Sequence, residues 1–530
     1  MVLFQEYNKL TDICNDFRTK TNMNTNYIEY ISALIYLKYY ENYSNQTFRK
    51  IYEDRDNYYI SEKIDKAISD MREDIKDEKI FSDIQFSNIV FYRKLGEKNI
   101  LSKTIEKINE MCNSFPKKFI AEQYELALKQ IAMIGDMKNS NELFYTPMEI
   151  TNTMVNMIVD KKSADVYDPM CSSGNFLINA SKLNDRKIKI FGQEENIEYY
   201  NILKTRILLN DIEDEEIEYQ NNEKNKKIKF DYILSNPPYS KKDWKEIIKY
   251  RPIFQEYEIS ENAVGDYAFV ISMLDNLKDD GKMAVLLPHG VLFRENERKV
   301  RKNLVEKNEI EAIIGLPENL FYDTRIPVIM MIISKNKTDK NILFIDASNE
   351  YKNKRFKNIL SEENQNKIVN TYKERKEIEG FSKIVSINQV KENDYNLSIK
   401  KYIRKNYVRN NIEQKQLIQQ LKNLEDEQDI LEENIKDILS ILNIKDIEKY
   451  EKHEKAKTSK IYYDFDDKKI GNNIKNARIK KSYTQERLAE KLELSCRYIS
   501  MLERGMTGIR LEMLAKICNV LEVSIDEILK

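Results

Sequence analysis

Seven short apolar runs alternate with segments of helical periodicity between about residues 140 and 340. Each run has the length of a buried strand, and intervening segments such as DYAFVISMLDNLK (266–278) repeat their apolar residues at helical spacing. This alternation predicts an α/β fold with a mostly parallel sheet between helices, in which ligands bind at the carboxyl ends of the strands. The runs are ADVYDP (164–169), KIKIFGQE (187–194), EEIEYQN (215–221), FDYILSNPP (230–238), KMAVLLP (282–288), EAIIGLP (311–317) and VIMMIISKN (328–336).

Helical patterns flank this central region. Eight of the nine prolines lie inside it, and segments that are poor in proline and glycine favour helices. In NYIEYISALIYLKYYEN (26–42), Ile28, Ile31 and Ile35 share one face at helical spacing. We therefore predict a helical domain at residues 1–135 that packs on its own core.

A heptad pattern follows the central region. Leucine and isoleucine recur at a 4-3 spacing that is broken only by Gln428. About four heptads predict a coiled-coil helix at 417–442, within a C-terminal extension at 346–442, and an intramolecular helix pair fits the pattern equally well. A charged, lysine-rich linker at 443–467 then leads to a compact domain at 468–530. The heptad residues are Leu417, Leu421, Leu424, Leu431, Ile435, Ile438 and Leu442.

Composition excludes several classes of protein. Lys and Arg total 87 and Asp and Glu total 88, so no global basic excess indicates nucleic-acid binding, which depends instead on how charge is distributed. With only two histidines, neither a histidine metal site nor a histidine general base is expected, and we predict no bound metal. The longest apolar run, VIMMII (328–333), is too short to span a bilayer, so no membrane association is expected. The cysteines form no C-x-x-C pair, which predicts a reducing, cytoplasmic location without disulfides. They are Cys14, Cys112, Cys171, Cys496 and Cys518.

Candidate ligand-binding residues occur where predicted strands end. VYDPMCSSGNFLINA (166–180) ends one strand with Asp168 and opens a helix, and Gly174 allows the backbone to approach a ligand at the helix N-terminus. Glu194 ends the next strand, where an acidic side chain can accept hydrogen bonds from two ribose hydroxyls. Taken alone, Glu194 also fits an ordinary surface carboxylate, and many sheets turn into helices through glycine and serine.

The run FDYILSNPPYS (230–240) ends a predicted strand with Asn236, Pro237, Pro238 and Tyr239. The exocyclic amine of an aromatic base is a poor nucleophile because its lone pair is delocalised into the ring. Two acceptors, the side-chain oxygen of Asn236 and the carbonyl of Pro237, would draw that nitrogen toward tetrahedral geometry and free its lone pair. The prolines hold both acceptors in place, and Tyr239 offers a flat face for stacking on the base. The tetrapeptide therefore predicts group transfer from a bound cofactor to such an amine.

A series of motifs in a fixed order covers nearly all of the chain before residue 445. The chain resembles the modification (M) subunit of type I restriction–modification systems, a class I S-adenosylmethionine-dependent N6-adenine DNA methyltransferase of the γ order. NPPY alone is shared with methyltransferases that act on RNA or protein glutamine, but the whole series is far more specific. The resemblance implies a Rossmann-like methyltransferase domain at 136–345. Its motifs are NELFYTPMEI (141–150), DPMCSSGNFL (168–177), FGQEEN (191–196), NPPY (236–239), GDYAFV (265–270), LPHGVLFR (287–294), IGLPENLFYDTRIP (314–327), LFIDASNEY (343–351) and ENDYNLSIKKYI (392–403).

The resemblance also implies roles for single residues. The family usually reads C-G-S-G-G in the cofactor loop, whereas this chain reads C-S-S-G-N at 171–175, and we expect a loop that still binds S-adenosylmethionine. The target adenine would have to leave the duplex, because its amine is paired there. The implied catalytic residues are Asn236, Pro237, Pro238 and Tyr239. The implied cofactor contacts are Tyr145, Thr146, Pro147, Asp168, Gly174 and Glu194, with Asn221 as a loosely aligned adenosine contact.

The C-terminal segment, residues 470–529, is similar to a helix-turn-helix domain of the XRE/Cro type. YTQERLAEKL (483–492) resembles the first helix of the motif and SCRYISMLERG (495–505) the recognition helix, which would enter the major groove. Glu493 stands where that family commonly has a turn glycine. A protein-binding role fits a small helical domain of modest charge as well. The implied DNA contacts are Gln485, Ser495 as N-cap, Cys496, Arg497 and Ser500, and the implied core residues are Leu488, Ala489, Leu492, Ile499 and Leu502.

Together these resemblances imply a subunit that methylates adenine N6 in double-stranded DNA, with sequence specificity supplied mainly by a separate specificity (S) subunit. A second M subunit would complete a clamp around the duplex. The heptads at 417–442 would pair with helices of the S subunit. A restriction subunit is a further possible partner of this complex. No segment reads as a target-recognition domain, and no G-x-x-x-x-G-K-[ST] phosphate loop is present. The tail would add DNA binding or autoregulation. The alternatives are a transcriptional regulator with an inactive methyltransferase body, and an N-methyltransferase of RNA or protein glutamine.

Overall fold

The structure is a computed structural model in which the chain forms two compact units, Met1–Val408 and Arg409–Lys530. The described residues are 9–21, 27–40, 47–88, 100–134, 145–219, 228–240, 252–260, 265–321, 326–353, 357–403, 467–481, 483–492, 496–504, 511–521, 523 and 527–528. The heptads at 417–442 and almost all of the linker at 443–467 lie outside these residues.

Helices make up the described N-terminal part, as its low content of proline and glycine predicts. They are α1 (Lys9–Thr21), α2 (Tyr27–Tyr40), α3 (Thr47–Glu53), α4 (Ile60–Ile75), α5 (Ile100–Ser114) and α6 (Lys117–Ile134), with a 3-10 turn at Phe86–Asn88. The predicted apolar face of α2 is buried at Ile28, Ile31 and Ile35. The other sides of α2 are buried too, so this helix lies in the middle of its bundle.

A nine-stranded sheet organises the residues described between 163 and 386. In chain order the strands are β1 (Ser163–Asp168), β2 (Lys187–Glu194), β3 (Glu215–Tyr219), β4 (Phe230–Ser235), β5 (Leu277–Pro288), β6 (Ile310–Gly315), β7 (Val328–Ser334), β8 (Asn341–Asp346), β9 (Lys352–Asn353), β10 (Asn358–Ile359) and β11 (Ser382–Ser386). Nine of these described strands form this sheet, and β9 and β10 form a separate antiparallel pair. The order in the large sheet is β11-β8-β6-β7-β5-β4-β1-β2-β3. Neighbours are parallel except where β7 pairs with β5 and β6 and where β11 pairs with β8. The sheet is therefore mostly parallel, as predicted.

Helices connect and cover the strands. They are α7 (Met148–Ile158), α8 (Asn175–Ser181), α9 (Ile197–Leu209), α10 (Pro252–Glu256), α11 (Asp266–Asp275), α12 (Arg298–Glu306), α13 (Glu362–Glu374), α14 (Ile387–Glu392) and α15 (Ile399–Tyr402), with 3-10 turns at His289–Leu292 and Glu295–Glu297. Two apolar clusters lie on the sheet, one that includes Val166 and Leu234 and one that includes Ile233 and Val285. Because Ile233 and Leu234 are consecutive in β4, the clusters cover opposite faces of the sheet.

Each of the seven apolar runs overlaps one strand, β1 to β7 in order. Two strands of the sheet were not predicted as such: β8 and β11. β11 is short, has mixed burial, and lies at the end of the strand order, so its sequence carries little of the periodic apolar signal. The sheet therefore continues past residue 345, where the predicted methyltransferase domain ends.

The strand order reverses between β1 and β4. From β1 the chain proceeds outward through β2 and β3, and β4 then pairs with the opposite side of β1 and is followed by β5. Such a reversal opens a crevice outside the carboxyl ends of the two strands. Asp168 ends β1, Glu194 ends β2, and Asn236 follows β4, so the candidate residues lie at this edge.

The N-terminal bundle does not pack on its own core alone, as the apolar pattern of α2 had suggested. Its apolar cluster includes Tyr199 and Ile202 of α9, the helix that follows β2. Asn201 of α9 donates a hydrogen bond from Nδ2 to Glu29 Oε1 at 2.8 Å and accepts one at Oδ1 from the Phe81 backbone nitrogen at 2.7 Å. The bundle and the sheet region are therefore joined through a common, buried helix.

The second unit contains α16 (Asp467–Lys480), α17 (Gln485–Lys491), α18 (Cys496–Glu503) and α19 (Leu511–Leu521). The core residues expected from the resemblance are buried at Leu488, Ala489, Ile499 and Leu502, and Leu492 packs against them. Ile474, Leu514 and Ile517 complete the same core.

Within the described ranges, no helix is long and apolar enough to cross a membrane. In the same ranges, no group of three or more His, Cys, Asp or Glu side chains is placed to hold a metal ion. The described cysteines Cys14, Cys112, Cys171 and Cys518 are free thiols.

Candidate active site

The predicted catalytic tetrapeptide follows β4 directly, at the carboxyl edge of the sheet. Asn236 is only 5% exposed, Pro237 is buried, and Pro238 is exposed. Asn236 Nδ2 donates a hydrogen bond to Thr146 Oγ1 at 3.0 Å, and the Tyr239 hydroxyl donates to Asn236 Oδ1 at 2.6 Å. The amide is thus oriented with its nitrogen toward Thr146, and its oxygen retains a second lone pair that can accept another hydrogen bond.

Asp266, the first residue of α11, holds the far end of this loop. One carboxylate oxygen accepts a hydrogen bond from the Ser240 backbone nitrogen at 2.7 Å, and the other pairs with Arg294 Nη1 at 2.7 Å. Asp266 is buried, which strengthens these charge-assisted bonds. Ser240 has a φ of 53°, a left-handed conformation that is strained for serine, and its bond to Asp266 stabilises that conformation.

Asp168 at the end of β1 is 1% exposed and faces the loop after β4. Its Oδ1 atom accepts hydrogen bonds from Ser235 Oγ at 2.8 Å and from the Met170 backbone nitrogen at 3.1 Å. Burial raises the pKa of Asp168 to about 7, against the lowering effect of these two hydrogen bonds, and the negative charge of Glu194 adds to the rise. The carboxyl group therefore takes up a proton more readily than an exposed aspartate does, and a nearby cation would favour its ionised form.

Glu194 at the end of β2 is tied to the turn that follows β1. Its Oε2 atom accepts a hydrogen bond from the Ser172 backbone nitrogen at 2.7 Å, and its Oε1 atom accepts one from the Asn196 backbone nitrogen at 2.7 Å. Burial raises the pKa of Glu194, and the backbone hydrogen bonds lower it. A carboxylate has about four acceptor sites, so Glu194 can still accept a hydroxyl group while it holds the turn.

The turn between β1 and α8 passes through two residues with positive φ, Ser172 at 49° and Gly174 at 83°. The Gly174 nitrogen donates to the Cys171 carbonyl at 2.7 Å, which closes the turn. A Cβ atom at position 174 would lie 2.2 Å from Leu203 Cδ1, so this position requires glycine for space as well as for its φ. Serine at 172 adopts the left-handed conformation at a cost of about 1–2 kcal/mol.

A small cavity brings the turn and the tetrapeptide together. Asn175, the first residue of α8, donates from Nδ2 to the Thr146 carbonyl at 2.6 Å, and Thr146 in turn accepts from Asn236. Three segments that are distant in sequence therefore meet at one point. The cavity is lined by Thr146, Asp168, Met170, Cys171, Ser172, Ser173, Asn175, Phe176 and Asn236.

The remaining candidates lie around this cavity or outside the described residues. Tyr145 is buried beside Asn175, and burial raises the pKa of its phenol. Pro147 precedes α7, and its carbonyl accepts hydrogen bonds from the first turn of that helix, which fixes the backbone beside Thr146. Asn221 lies outside the described residues.

In the second unit, Gln485 is the first residue of α17, and its side-chain nitrogen donates to Glu503 Oε2 at 2.7 Å. Glu503 is buried and paired with Arg478, so in this structure the Gln485 amide is bound within the domain. Cys496, Arg497 and Ser500 lie in α18, the predicted recognition helix. Ser495 lies outside the described residues.

Several residues at the site were not identified from the sequence. Ser235 contacts Asp168, Asp266 holds Ser240, and Asn175 contacts Thr146. Asp266 belongs to the GDYAFV motif, Ser235 to the run FDYILSNPPYS and Asn175 to the C-S-S-G-N loop. These motifs assign the three side chains no partner, and their roles follow only from contacts between distant segments.

Comparison with known proteins identifies the family. The profile of the family described as N-6 DNA Methylase matches residues 116–411, and that of the family described as Helix-turn-helix matches residues 474–528. The chain is 30% identical over 434 residues to the MjaVII type I restriction enzyme methylase subunit of Methanocaldococcus jannaschii, covering 74% of each chain. It is 30% identical over 436 residues to the MpnII type I methylase subunit of Mycoplasma pneumoniae, covering 74% of this chain and 76% of the relative.

A solved structure agrees with these relatives. The methyltransferase subunit of the type I restriction–modification system from Streptococcus thermophilus matches with a TM-score of 0.58 at 26% identity, covering 75% of this chain and 99% of that chain. The family profile spans more than half of this chain, and the matched relatives are similar over about three quarters of it. The chain therefore belongs to the N-6 DNA methylase family, as a methylase subunit of the type I restriction enzyme kind that also carries a helix-turn-helix domain.

Proposed function

We propose that this protein transfers a methyl group from S-adenosylmethionine to N6 of an adenine that has left the DNA duplex. The observation that carries the proposal is the convergence of Asn236, Asp168 and the Ser172 turn on one cavity at the point where the strand order reverses. Membership of the N-6 DNA methylase family gives the reaction class, and these residues supply the chemistry that the reaction needs.

The residues present fit the cofactor. Asp168 is a buried carboxylate whose ionised form would be stabilised by the ammonium group of the methionine end. Glu194 retains acceptor capacity for the ribose beside the Ser172 turn. Gly174 keeps the turn free of a side chain. When bound there, S-adenosylmethionine supplies an electrophilic methyl group.

The tetrapeptide would act on the adenine amine. Asn236 Oδ1 and the Pro237 carbonyl accept its two N–H groups, so the nitrogen becomes more tetrahedral and its lone pair more available. Thr146 holds the nitrogen of the Asn236 amide, which prevents the amide from turning its donor group toward the substrate. Tyr239 stacks on the adenine ring, which offsets part of the few kcal/mol that extrusion of the base costs.

The direct test is methyl transfer from labelled cofactor to DNA by the full chain, alone and with a co-expressed specificity subunit. We expect label in N6-methyladenine after digestion of the DNA to nucleosides. Label found only in RNA or in protein glutamine, or no transfer under either condition, would contradict the proposal.

Cofactor affinity should depend on pH through Asp168. Its raised pKa of about 7 means that the ionised form, which attracts the ammonium group, is lost as the pH falls. We expect S-adenosylhomocysteine to bind about tenfold more weakly at pH 6 than at pH 8, because about nine tenths of the free carboxyl is protonated at the lower value. Calorimetric titration measures this. Asp168→Asn should bind S-adenosylhomocysteine more weakly at both pH values, and its affinity should depend little on pH. If the affinity of that variant changed with pH as much as that of the wild type, the role of Asp168 would be contradicted.

Substitutions at Tyr239 should separate the contribution of its ring to methylation from that of its hydroxyl group. Tyr239→Ala is expected to lower kcat/KM for DNA by about 10–100-fold, because stacking on a base contributes about 1–3 kcal/mol. Tyr239→Phe keeps the ring and loses the hydrogen bond to Asn236, so we expect an effect within about threefold, since Thr146 still orients the amide. An equal loss in both variants would assign the effect to the hydroxyl.

Specificity and assembly belong to the same proposal. The relatives are named as methylase subunits of type I restriction enzymes, and we propose that this chain likewise acts with a specificity subunit and a second copy of itself on double-stranded DNA, with a restriction subunit as a further partner. The heptads at 417–442 are the proposed surface for the specificity subunit.

The helix-turn-helix domain is proposed to add a DNA contact. Deletion of residues 468–530 should weaken DNA binding about tenfold and flatten its dependence on salt, because fewer phosphates are neutralised. Binding of S-adenosylhomocysteine should not change. Fluorescence anisotropy with duplex DNA over a range of salt concentrations measures the effect, and Arg497→Ala should reproduce part of it. Unchanged DNA binding in both variants would favour a protein-binding role for this domain.

A further inference from the structure

Arg206 of α9 is fully buried behind the turn that precedes α8. Its side chain donates hydrogen bonds in two directions. On one side, Nε and Nη2 bind the two carboxylate oxygens of Glu125 on α6, at 2.9 and 2.7 Å. On the other side, Nη1 binds Asn175 Oδ1 at 2.7 Å and also the Ser173 carbonyl. The guanidinium therefore connects the N-terminal bundle with the cofactor turn.

The pair with Glu125 allows a charge to be present at this depth. An isolated buried guanidinium is strongly unfavourable, whereas a bidentate carboxylate neutralises it and fixes its plane. With Glu125 occupying Nε and Nη2, the remaining nitrogen is aimed at the turn. α6 of the bundle thus determines where Nη1 lies.

Arg206 also determines how the Asn175 amide is oriented. Because Nη1 is a donor, it binds the amide oxygen, and the amide nitrogen must then point the other way, to the Thr146 carbonyl at 2.6 Å. The motif that this turn resembles has glycine at position 175, which offers no side chain for either bond. Asparagine provides an acceptor for Arg206 and a donor for Thr146 at once.

Thr146 completes the connection to the tetrapeptide. The backbone of Thr146 is held by Asn175, and its Oγ1 atom accepts from Asn236 Nδ2 at 3.0 Å. Asn236 Oδ1 accepts from the Tyr239 hydroxyl, and its second lone pair is thereby left for the substrate amine. A continuous series of hydrogen bonds, buried from Arg206 onward, runs from Glu125 through Arg206, Asn175 and Thr146 to Asn236.

We propose that Arg206 and Asn175 are positioning residues for methyl transfer, which through Thr146 hold the Asn236 amide in its reactive orientation. This inference rests on the proposed function and assigns to the Asn175 side chain a role that a glycine at this position cannot fill. It also gives the N-terminal bundle a part in the reaction, through Glu125.

The sharpest variant is Asn175→Asp. The carboxylate still accepts from Arg206, but it cannot donate to the Thr146 carbonyl, and its second oxygen repels that carbonyl. We expect the single-turnover rate of DNA methylation at saturating cofactor to fall about 10–100-fold, since small misplacements of a reacting group have effects of this size. Binding of S-adenosylhomocysteine should stay within about threefold of wild type, because Asp168 and Glu194, the carboxylates proposed to hold the cofactor, keep their own partners.

A second variant removes the other end of the series. The double substitution Glu125→Gln with Arg206→Met leaves no unpaired charge and should lower the same rate by a similar factor. Lys204→Met is the matched control, because Lys204 lies on the same helix and loses only its ion pair with Glu215, away from the turn. We expect that control to retain wild-type rate and binding.

The outcomes distinguish this inference from the function on which it rests. If the wild type is active and Asn175→Asp methylates DNA at a rate within twofold of it, the positioning role is overturned and the proposed function stands. An equal loss of binding and rate in Asn175→Asp would also overturn it, because that result describes a turn that has merely lost its structure. No transfer by the wild type would overturn both.

Discussion

Replacement of Asn236 by alanine is expected to lower the rate of adenine methylation by about 10²–10³-fold, the usual effect of removing one preorganised acceptor or donor from a reacting centre. The side chain would supply one of two acceptors that draw the adenine nitrogen toward tetrahedral geometry. In this structure its amide already has the required orientation, through Thr146 at 3.0 Å. Single-turnover methylation with labelled cofactor measures the rate.

The same variant should leave cofactor binding almost unchanged. Asn236 lines the cavity, but the proposed cofactor contacts at Asp168 and Glu194 come from other strands. We therefore expect the dissociation constant of S-adenosylhomocysteine to stay within about threefold of wild type. Asn156→Ala is the control, because Asn156 is an exposed asparagine on α7 and should keep full activity. Near wild-type methylation by Asn236→Ala would remove the tetrapeptide from the mechanism.

Gly174→Ala is expected to weaken binding of S-adenosylhomocysteine at least about tenfold and to lower the thermal midpoint by several degrees. Alanine would have to adopt a φ of 83°, and its Cβ would lie 2.2 Å from Leu203 Cδ1. Leu203 is fully buried, so it cannot move aside without disturbing the core. Left-handed strain and overpacking together cost about 2–5 kcal/mol, and the turn that holds Ser172 against Glu194 would shift to relieve them.

Gly380→Ala isolates the part of this effect that comes from φ. Gly380 has a φ of 72°, but an added Cβ there would meet nothing within 4 Å. That variant should lose only about 1–2 kcal/mol of stability and bind S-adenosylhomocysteine as wild type does. Equal behaviour of the two variants would show that the contact with Leu203 is unimportant.

The departures of the turn from the family pattern have different physical consequences. Ser172 adopts a left-handed φ and keeps its backbone nitrogen on Glu194, so loss of glycine there costs strain but no contact. Asn175 gains two hydrogen bonds that glycine cannot make. The one glycine that is retained, Gly174, is the one with no space for a side chain. The turn therefore keeps its bond to Glu194 and its one essential glycine, and binding of S-adenosylmethionine by it stays a prediction.

The sequence alone determined the strands β1 to β7 and the residues at their carboxyl ends. Both follow from local patterns, since apolar runs define buried strands and a polar residue at a strand end is placed by the strand itself. Asp168, Glu194 and Asn236 are candidate site residues for this reason, and the ordered motifs indicate the family. β11 was missed because a short edge strand carries a weak apolar pattern.

Only the tertiary structure decided how these residues are held. Thr146 lies 90 positions before Asn236, and Glu125 lies 81 before Arg206, so no local pattern connects them. It also decided that the N-terminal helices share a core with α9. The physical reason is that hydrogen bonding and ion pairing inside a protein depend on which segments the sheet and its helices bring within about 3 Å of each other, whereas periodicity reports only on neighbours along the chain.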